Sequence, residues 1–220
     1  MIPSHAIRWS RPVLLFVLAL PAAAREHTPP AVEPASRFAA VETHTDEKIS
    51  IAAEPYDTKE KCALFRVDYL RRGVLPVRLV VTNNGDRPIS LDQARILFES
   101  ASGERIQAAE PEDVERRFSL KDKTGAKIPM PTPLPSLHTK ARAHDKEVEQ
   151  DFDTFEYSAT TVAPHTTRAG FLFYVIDGPT ASLAGAHLIV RKLLTDDGHE
   201  LFAFEIPFDK YLRSKSGQMN

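Results

Sequence analysis

The stretch from Val74 to Ser100 constrains the fold of this chain more than any other part of it. Its first half alternates, so one face of an extended chain carries Leu75, Val77, Leu79 and Val81 and the other carries Pro76, Arg78, Val80 and Thr82. The pair Asn84-Gly85 then favours the positive φ angles of a tight turn, and residues 94–100 resume a β-prone pattern. The stretch therefore predicts a strand, a hairpin turn and a return strand, the unit from which antiparallel sandwiches are built.

The first 24 residues have the composition of a cleaved signal peptide. Arg8 and Arg11 precede an apolar run from Val13 to Leu20, and Ala22-Ala23-Ala24 matches the small-residue pattern that a signal peptidase reads. A membrane anchor is the alternative, but a run of eight residues is far shorter than the roughly 20 that a spanning helix needs. We expect cleavage after Ala24, no transmembrane anchor, and export to the periplasm or the extracellular space.

The remaining 196 residues suit one domain with additions. Residues 25–46 are rich in proline and alanine without a sustained period, which predicts a flexible leader. Residues 47–211 form the predicted domain, residues 110–155 are an insertion within it, and residues 212–220 are a polar tail expected to be disordered. After cleavage the chain has 26 basic and 30 acidic residues, so it lacks the basic excess of a nucleic-acid-binding protein.

Cys62 is the only cysteine, which excludes a disulfide within the chain. An exported lone thiol could be reactive or could pair between chains. A small buried side chain is the other interpretation, and we favour it because cysteine packs readily in protein cores.

The two β-rich parts of the chain bracket the insertion. Glu47–Ala53 and Thr160–Ala163 are strand candidates, Gly170–Val175 is strongly β-prone, and Asp196-Asp197-Gly198 predicts a hairpin between residues 186–194 and 200–208. Seven or eight strands are expected in all. Alternation places ten side chains in the core: Val77, Leu79, Val81, Phe98, Phe171, Phe173, Leu188, Val190, Phe202 and Phe204.

The insertion combines two predicted helices with a proline-rich segment. Pro111 suits the first turn of a helix over Glu110–Leu120, and Thr139–Phe155 places Ala141, Val148, Phe152 and Phe155 on one stripe. That stripe either binds a partner or packs onto the domain's own sheet, which is the commoner arrangement. Between the helices, Lys127–Pro135 carries four prolines in nine residues, which fits a stiff connector or a proline-rich ligand.

These patterns indicate a mainly β fold, an immunoglobulin-like antiparallel β-sandwich with a helical and proline-rich insertion. The segments Val80–Ile89 and Val162–Phe173 resemble bacterial exported immunoglobulin-like domains of unknown function, in which a strand ending in Asn-Asn-Gly-Asp-Lys-Pro is followed by Pro-Gly-x-Thr-x-x-Gly before an aromatic strand. His165 stands where that family usually has glycine. The resemblance covers residues 49–106 and 160–208 and implies an exported, mostly non-catalytic role without carrying over any active-site residue.

No motif in the sequence supplies a catalytic constellation. Gly-x-Ser-x-Gly, Gly-x-Gly-x-x-Gly and the Gly-Lys-Ser/Thr phosphate loop are absent, as are Cys-x-x-Cys and His-x-His. We therefore predict no enzyme activity, no catalytic, cofactor-binding or metal-ligating residues, and no cofactor. The expected function is a binding or accessory module of the cell envelope, which contacts another protein or an envelope component. A periplasmic small-ligand or metal carrier that uses His165, His187 and His199 is the alternative.

Overall fold

The computed structural model describes residues 27–122, 139–177 and 181–217, and the structural statements below concern those residues. Eleven strands and three α-helices follow one another as β1 (Val41–His44), β2 (Ile49–Pro55), β3 (Val74–Asn83), β4 (Ile89–Ser90), β5 (Arg95–Glu99), β6 (Arg105–Gln107), α1 (Pro111–Asp122), α2 (Thr139–Phe155), β7 (Thr161–Val162), β8 (Thr166–Val175), β9 (His187–Arg191), β10 (Leu194–Thr195), β11 (Phe204–Pro207) and α3 (Phe208–Gly217). Both helices predicted in the insertion are present, α2 with the predicted bounds.

The strands form three sheets, and every pair of neighbouring strands is antiparallel. Sheet A has the order β1-β2-β3-β8, sheet C has the order β11-β9-β5-β6, and the small sheet B has the order β10-β4-β7. The fold is therefore mainly antiparallel β structure, as the sequence predicted.

Sheets A and C contribute side chains to one shared hydrophobic core. From sheet A it includes Ile51, Val77, Leu79, Val81 and Tyr174, and from sheet C it includes Phe98, Leu188, Val190, Phe204 and Ile206. The Tyr174 hydroxyl crosses this core and donates a hydrogen bond of 3.3 Å to the carbonyl of Ile96. The alternation predicted for β3 is confirmed, because its four odd-numbered apolar residues from Leu75 to Val81 all face this core.

The hairpin predicted at Asn84-Gly85 is wrong. Strand β3 pairs along its whole length with β8 on one side and with β2 over residues 77–83 on the other, so it has no free edge for a return strand. Neither Asn84 nor Gly85 has a positive φ. Instead, the Asn83 side chain organises the loop, since its Oδ1 accepts from the Gly85 N–H at 2.9 Å and its Nδ2 donates to the Arg87 carbonyl at 2.7 Å.

The second predicted hairpin is confirmed, with a change at its start. Strands β9 and β11 pair across the turn at Gly198, which has a φ of 81°. Phe202, however, is 78% exposed and not a core residue. Residues 201–203 do not belong to a regular strand, and Leu201 donates its N–H to the Leu193 carbonyl at 2.8 Å. This irregularity shifts the alternation, so Leu201 and Phe204 are buried and Phe202 is not.

The structure also differs from the sequence expectations at both ends of the domain. Within the expected leader, β1 pairs with β2, and the Ala35 N–H donates to the Thr82 hydroxyl at 2.8 Å. The buried Arg78 guanidinium donates to the carbonyl of Ala31 at 2.6 Å and so ties the leader to the outer face of sheet A. The expected disordered tail contains most of α3, which packs through Phe208 and Tyr211.

Candidate functional site

Helices α1 and α2 cover part of the outer face of sheet A through an aromatic cluster. Phe152 stacks on Phe173 with ring centroids 4.4 Å apart, and Phe155 meets Phe171 edge-on at 6.0 Å. Phe65, from the segment before β3, lies 5.1 Å from Phe171. The apolar stripe of α2 therefore packs on the chain's own sheet, and the predicted burial of Phe171 and Phe173 is confirmed on this face.

A buried carboxylate joins α2 to the segment that leads into β3. Asp151 is fully buried and accepts hydrogen bonds from the Arg66 backbone N–H at 2.9 Å, from Arg66 Nη1 at 2.9 Å and from the Tyr69 hydroxyl at 3.3 Å. Burial raises the pKa of Asp151, and the donors on Arg66 and Tyr69 offset only part of that effect. These hydrogen bonds all join α2 to the segment before β3. We therefore interpret Asp151 as a structural residue that holds helices α1 and α2, which we call the helical layer, on sheet A.

The opposite, outward faces of α1 and α2 are strongly acidic. Apart from the buried Asp151, residues 110–118 and 145–156 contain nine acidic and three basic side chains. Burial together with Asp145, Glu112 and Glu149 raises the pKa of Glu115, and burial together with Glu110 and Asp153 raises that of Glu156. Carboxylates from both helices therefore crowd one another on a single surface, which we call the acidic helical face and define by Glu110, Glu112, Glu115, Asp145, Glu149, Asp153 and Glu156.

The three histidines considered as ligands lie on different elements. His165 Nε2 contacts Asp86 Oδ1 at 3.1 Å on the surface, His187 begins β9, and His199 lies in the turn after β10. Across the described residues, no three His, Cys, Asp or Glu side chains form a group that could hold a metal ion.

Cys62 is buried, as predicted. Its Sγ donates to the Tyr56 carbonyl at 3.0 Å, and burial raises the pKa of the thiol to about 12. Because the thiolate is the reactive form of cysteine, this environment favours the packing interpretation. No helix in the described parts of the chain is both long enough and apolar enough to cross a membrane.

Two open cavities lie near α3, at the end of the domain where the segment after β2 meets this helix. A cavity of about 440 Å³ is lined mainly by apolar residues of β3 and of residues 181–184, with Asp57 among its lining residues. A second cavity of about 500 Å³ is lined by charged side chains from four separate segments, among them Arg37, Lys61 and Lys215. Sequence reasoning missed both, because residues that far apart carry no local pattern.

Comparisons with known proteins place the chain in no family. No protein-family model matches it, and no curated protein matches it. A solved structure that does match is target SoR45 of the Northeast Structural Genomics Consortium, with 11% sequence identity, coverage of 74% of this chain and 85% of that chain, and a TM-score of 0.29.

Proposed function

We propose that this chain is an exported, non-catalytic binding or accessory module of the cell envelope that contacts a basic protein partner through the acidic helical face. Its scaffold in this proposal is an immunoglobulin-like sandwich, supported by two four-stranded antiparallel sheets that share one core. Export is supported by the composition of residues 1–24. The acidic helical face is the observation that carries the proposal.

The helical layer lies outside what the sandwich itself needs. The core between sheets A and C contains no residue of α1 or α2, whereas both helices contribute to the separate aromatic cluster on the outer face of sheet A. The helices therefore do not close the main core. A well-anchored addition outside the core can present a specific binding surface while the scaffold keeps it in position.

The charge on this surface favours association over a purely structural role. Burial is the main cause of the raised pKa values of Glu115 and Glu156, and the neighbouring carboxylates add like-charge repulsion that destabilises the folded chain. A basic partner would relieve that repulsion on binding, and complementary charge also increases association rates and rejects acidic competitors. A protein surface rich in lysine and arginine has the matching chemistry.

The proposal is tested by charge reversal on α2. Glu149 and Asp153 are exposed, and neither has an ion-pair partner within the described residues, so Glu149→Lys with Asp153→Lys leaves the buried contacts intact. The mature protein, from Arg25 onward, is immobilised and exposed to envelope extract of the native cell, and captured proteins are identified by mass spectrometry. We expect the wild type to retain a basic protein that the variant does not retain.

The matched control is Asp46→Lys with Glu200→Lys, which introduces the same charge change on exposed residues far from both helices in sequence. It should capture the same partner as the wild type. If both variants lost capture of the partner equally, the loss would be explained by net charge alone. If capture survived charge reversal at Glu149 and Asp153, the acidic helical face would not be the contact surface. Either result would overturn the proposal.

A further inference from the structure

The 500 Å³ cavity beside α3 has the composition of a binding site for a small anion. Its lining comes from the turn at Ala35–Arg37 and the residues after it, the end of β2, the turn at Lys61–Leu64 and helix α3. The lining residues with cationic side chains are Arg37, Lys61 and Lys215, and Glu54 is the one carboxylate among them. The volume lies within the roughly 300–1,000 Å³ of typical small-molecule sites.

The charges in this cavity leave donors unused. Lys61 Nζ contacts Glu54 Oε1 at 2.8 Å and the Pro55 carbonyl at 3.3 Å, and Lys215 Nζ contacts Asp57 Oδ2 at 2.9 Å. Each ammonium has three N–H donors, so one remains on Lys61 and two remain on Lys215. Glu60 also lies within electrostatic range of Lys215, but it is exposed and does not line the cavity.

Of the three cations that line the cavity, Arg37 is the one without an ion-pair partner among the described residues. In the described parts of the chain its guanidinium has no carboxylate or carbonyl partner, although every other cation that lines the cavity is paired. A guanidinium offers five N–H donors in a planar fork that matches carboxylate and phosphate oxygens in pairs. The fork at Arg37 is thus available to a ligand.

An apolar wall and an aromatic ring complete the cavity. Phe38, Ala39 and Ala40 also line the cavity. Two cations approach the Tyr211 ring, with Lys61 Nζ 4.6 Å and Lys215 Nζ 5.9 Å from its centroid. The lysines are held in position by the ring and by their carboxylate partners, which reduces the side-chain entropy lost when a ligand binds.

We infer that this cavity binds a small organic molecule bearing a carboxylate or a phosphate, with the anionic group at Arg37, Lys61 and Lys215 and the organic part against Phe38. The cavity shares no lining residue with the acidic helical face, and the inference is independent of the protein partner proposed above.

The test uses four probes with the mature protein: benzoate, phenyl phosphate, inorganic phosphate and benzyl alcohol. Binding is followed by calorimetry and by amide chemical shifts of Ala39, Ala40 and Lys215 in NMR spectra. We expect dissociation constants of about 1 mM for one or both aromatic anions, since such small ligands have few atoms with which to bind. Inorganic phosphate should bind more weakly, and benzyl alcohol should not bind. The stronger of the two aromatic anions identifies the preferred group.

Three variants distinguish specific binding in the cavity from nonspecific electrostatic attraction of the anion to the protein. Arg37→Gln should weaken binding about tenfold, the loss expected for a hydrogen-bonded charge pair, and should leave the melting temperature unchanged. Ala39→Glu places a carboxylate at the cavity wall and should abolish binding. The matched control Arg213→Gln removes an exposed cation of α3 that does not line the cavity and should leave affinity within about twofold.

Three results would overturn the inference. Equal affinity for benzyl alcohol and benzoate would show that the cavity recognises the apolar ring and not the anionic group. Arg37→Gln and Arg213→Gln could weaken binding equally, which would reduce the effect to net charge. The absence of any probe-induced shift at the amides of Ala39, Ala40 and Lys215 would exclude the site.

Discussion

Replacing Asp151 with alanine tests how helices α1 and α2 are held on sheet A. The change removes the acceptor for the Arg66 backbone N–H, the Arg66 guanidinium and the Tyr69 hydroxyl. Removal of one partner from a buried ion pair costs about 3–5 kcal/mol. The Arg66 side chain is 23% exposed, so water partly replaces the lost partner, and we expect about 3 kcal/mol, near the lower limit.

The assay is urea unfolding followed by circular dichroism, with the free energy of unfolding extrapolated to water. A loss of about 3 kcal/mol is large against the roughly 5–15 kcal/mol that a domain has in total. Asp153→Ala is the matched control, because Asp153 is exposed on the same helix, and it should change stability by no more than about 0.5 kcal/mol. Asp151→Asn retains one acceptor oxygen and should fall between the two.

The interpretation of Asp151 would be refuted if Asp151→Ala lost less than about 1 kcal/mol, the contribution of a single ordinary hydrogen bond. A smaller dependence of the free energy of unfolding on urea in the variant would instead show that helices α1 and α2 had separated before sheets A and C unfolded. That result would support the assignment of the helices to a layer outside the main core.

Four further predictions concern other parts of the chain. Phe204→Ala should cost about 3–5 kcal/mol because Phe204 is fully buried, whereas Phe202→Ala should change urea stability little because Phe202 is exposed. Glu115→Gln should raise the melting temperature near neutral pH. The pKa of Glu115 is raised in the folded wild type, so that protein loses stability as pH rises through this pKa. The gain in melting temperature should vanish at about pH 3, below the unfolded pKa of about 4.3. N-terminal sequencing of exported protein should begin at Arg25, and recovery of Met1–Leu20 in a membrane fraction would contradict this. Replacing Lys121–His138 with a short Gly-Ser linker should leave unfolding cooperative, because this proline-rich, polar sequence has few apolar side chains to bury and closure entropy varies only with the logarithm of length.

Local patterns in the sequence determined the elements and their faces. The period of two in β3 places Leu75 and Val77 in the main core, and the helical stripe of α2 places Val148 and Phe152 on the sheet. These features depend on backbone geometry within a few residues, since side chains alternate along a strand and recur every three to four residues along a helix. The hairpin at Gly198 was predictable because its turn needs a positive φ, which glycine adopts without steric cost.

Only the tertiary structure decided which elements meet. Asn84-Gly85 is a good local turn sequence, but β3 already has β2 and β8 on its two sides, so the chain crosses to another sheet. Arg66 and Asp151 are 85 residues apart. The 500 Å³ cavity is lined by Arg37 and Lys215, which come from opposite ends of the described chain. Such contacts follow from the packing of sheets and helices as a whole, and packing depends on long-range complementarity that no local pattern in the sequence records.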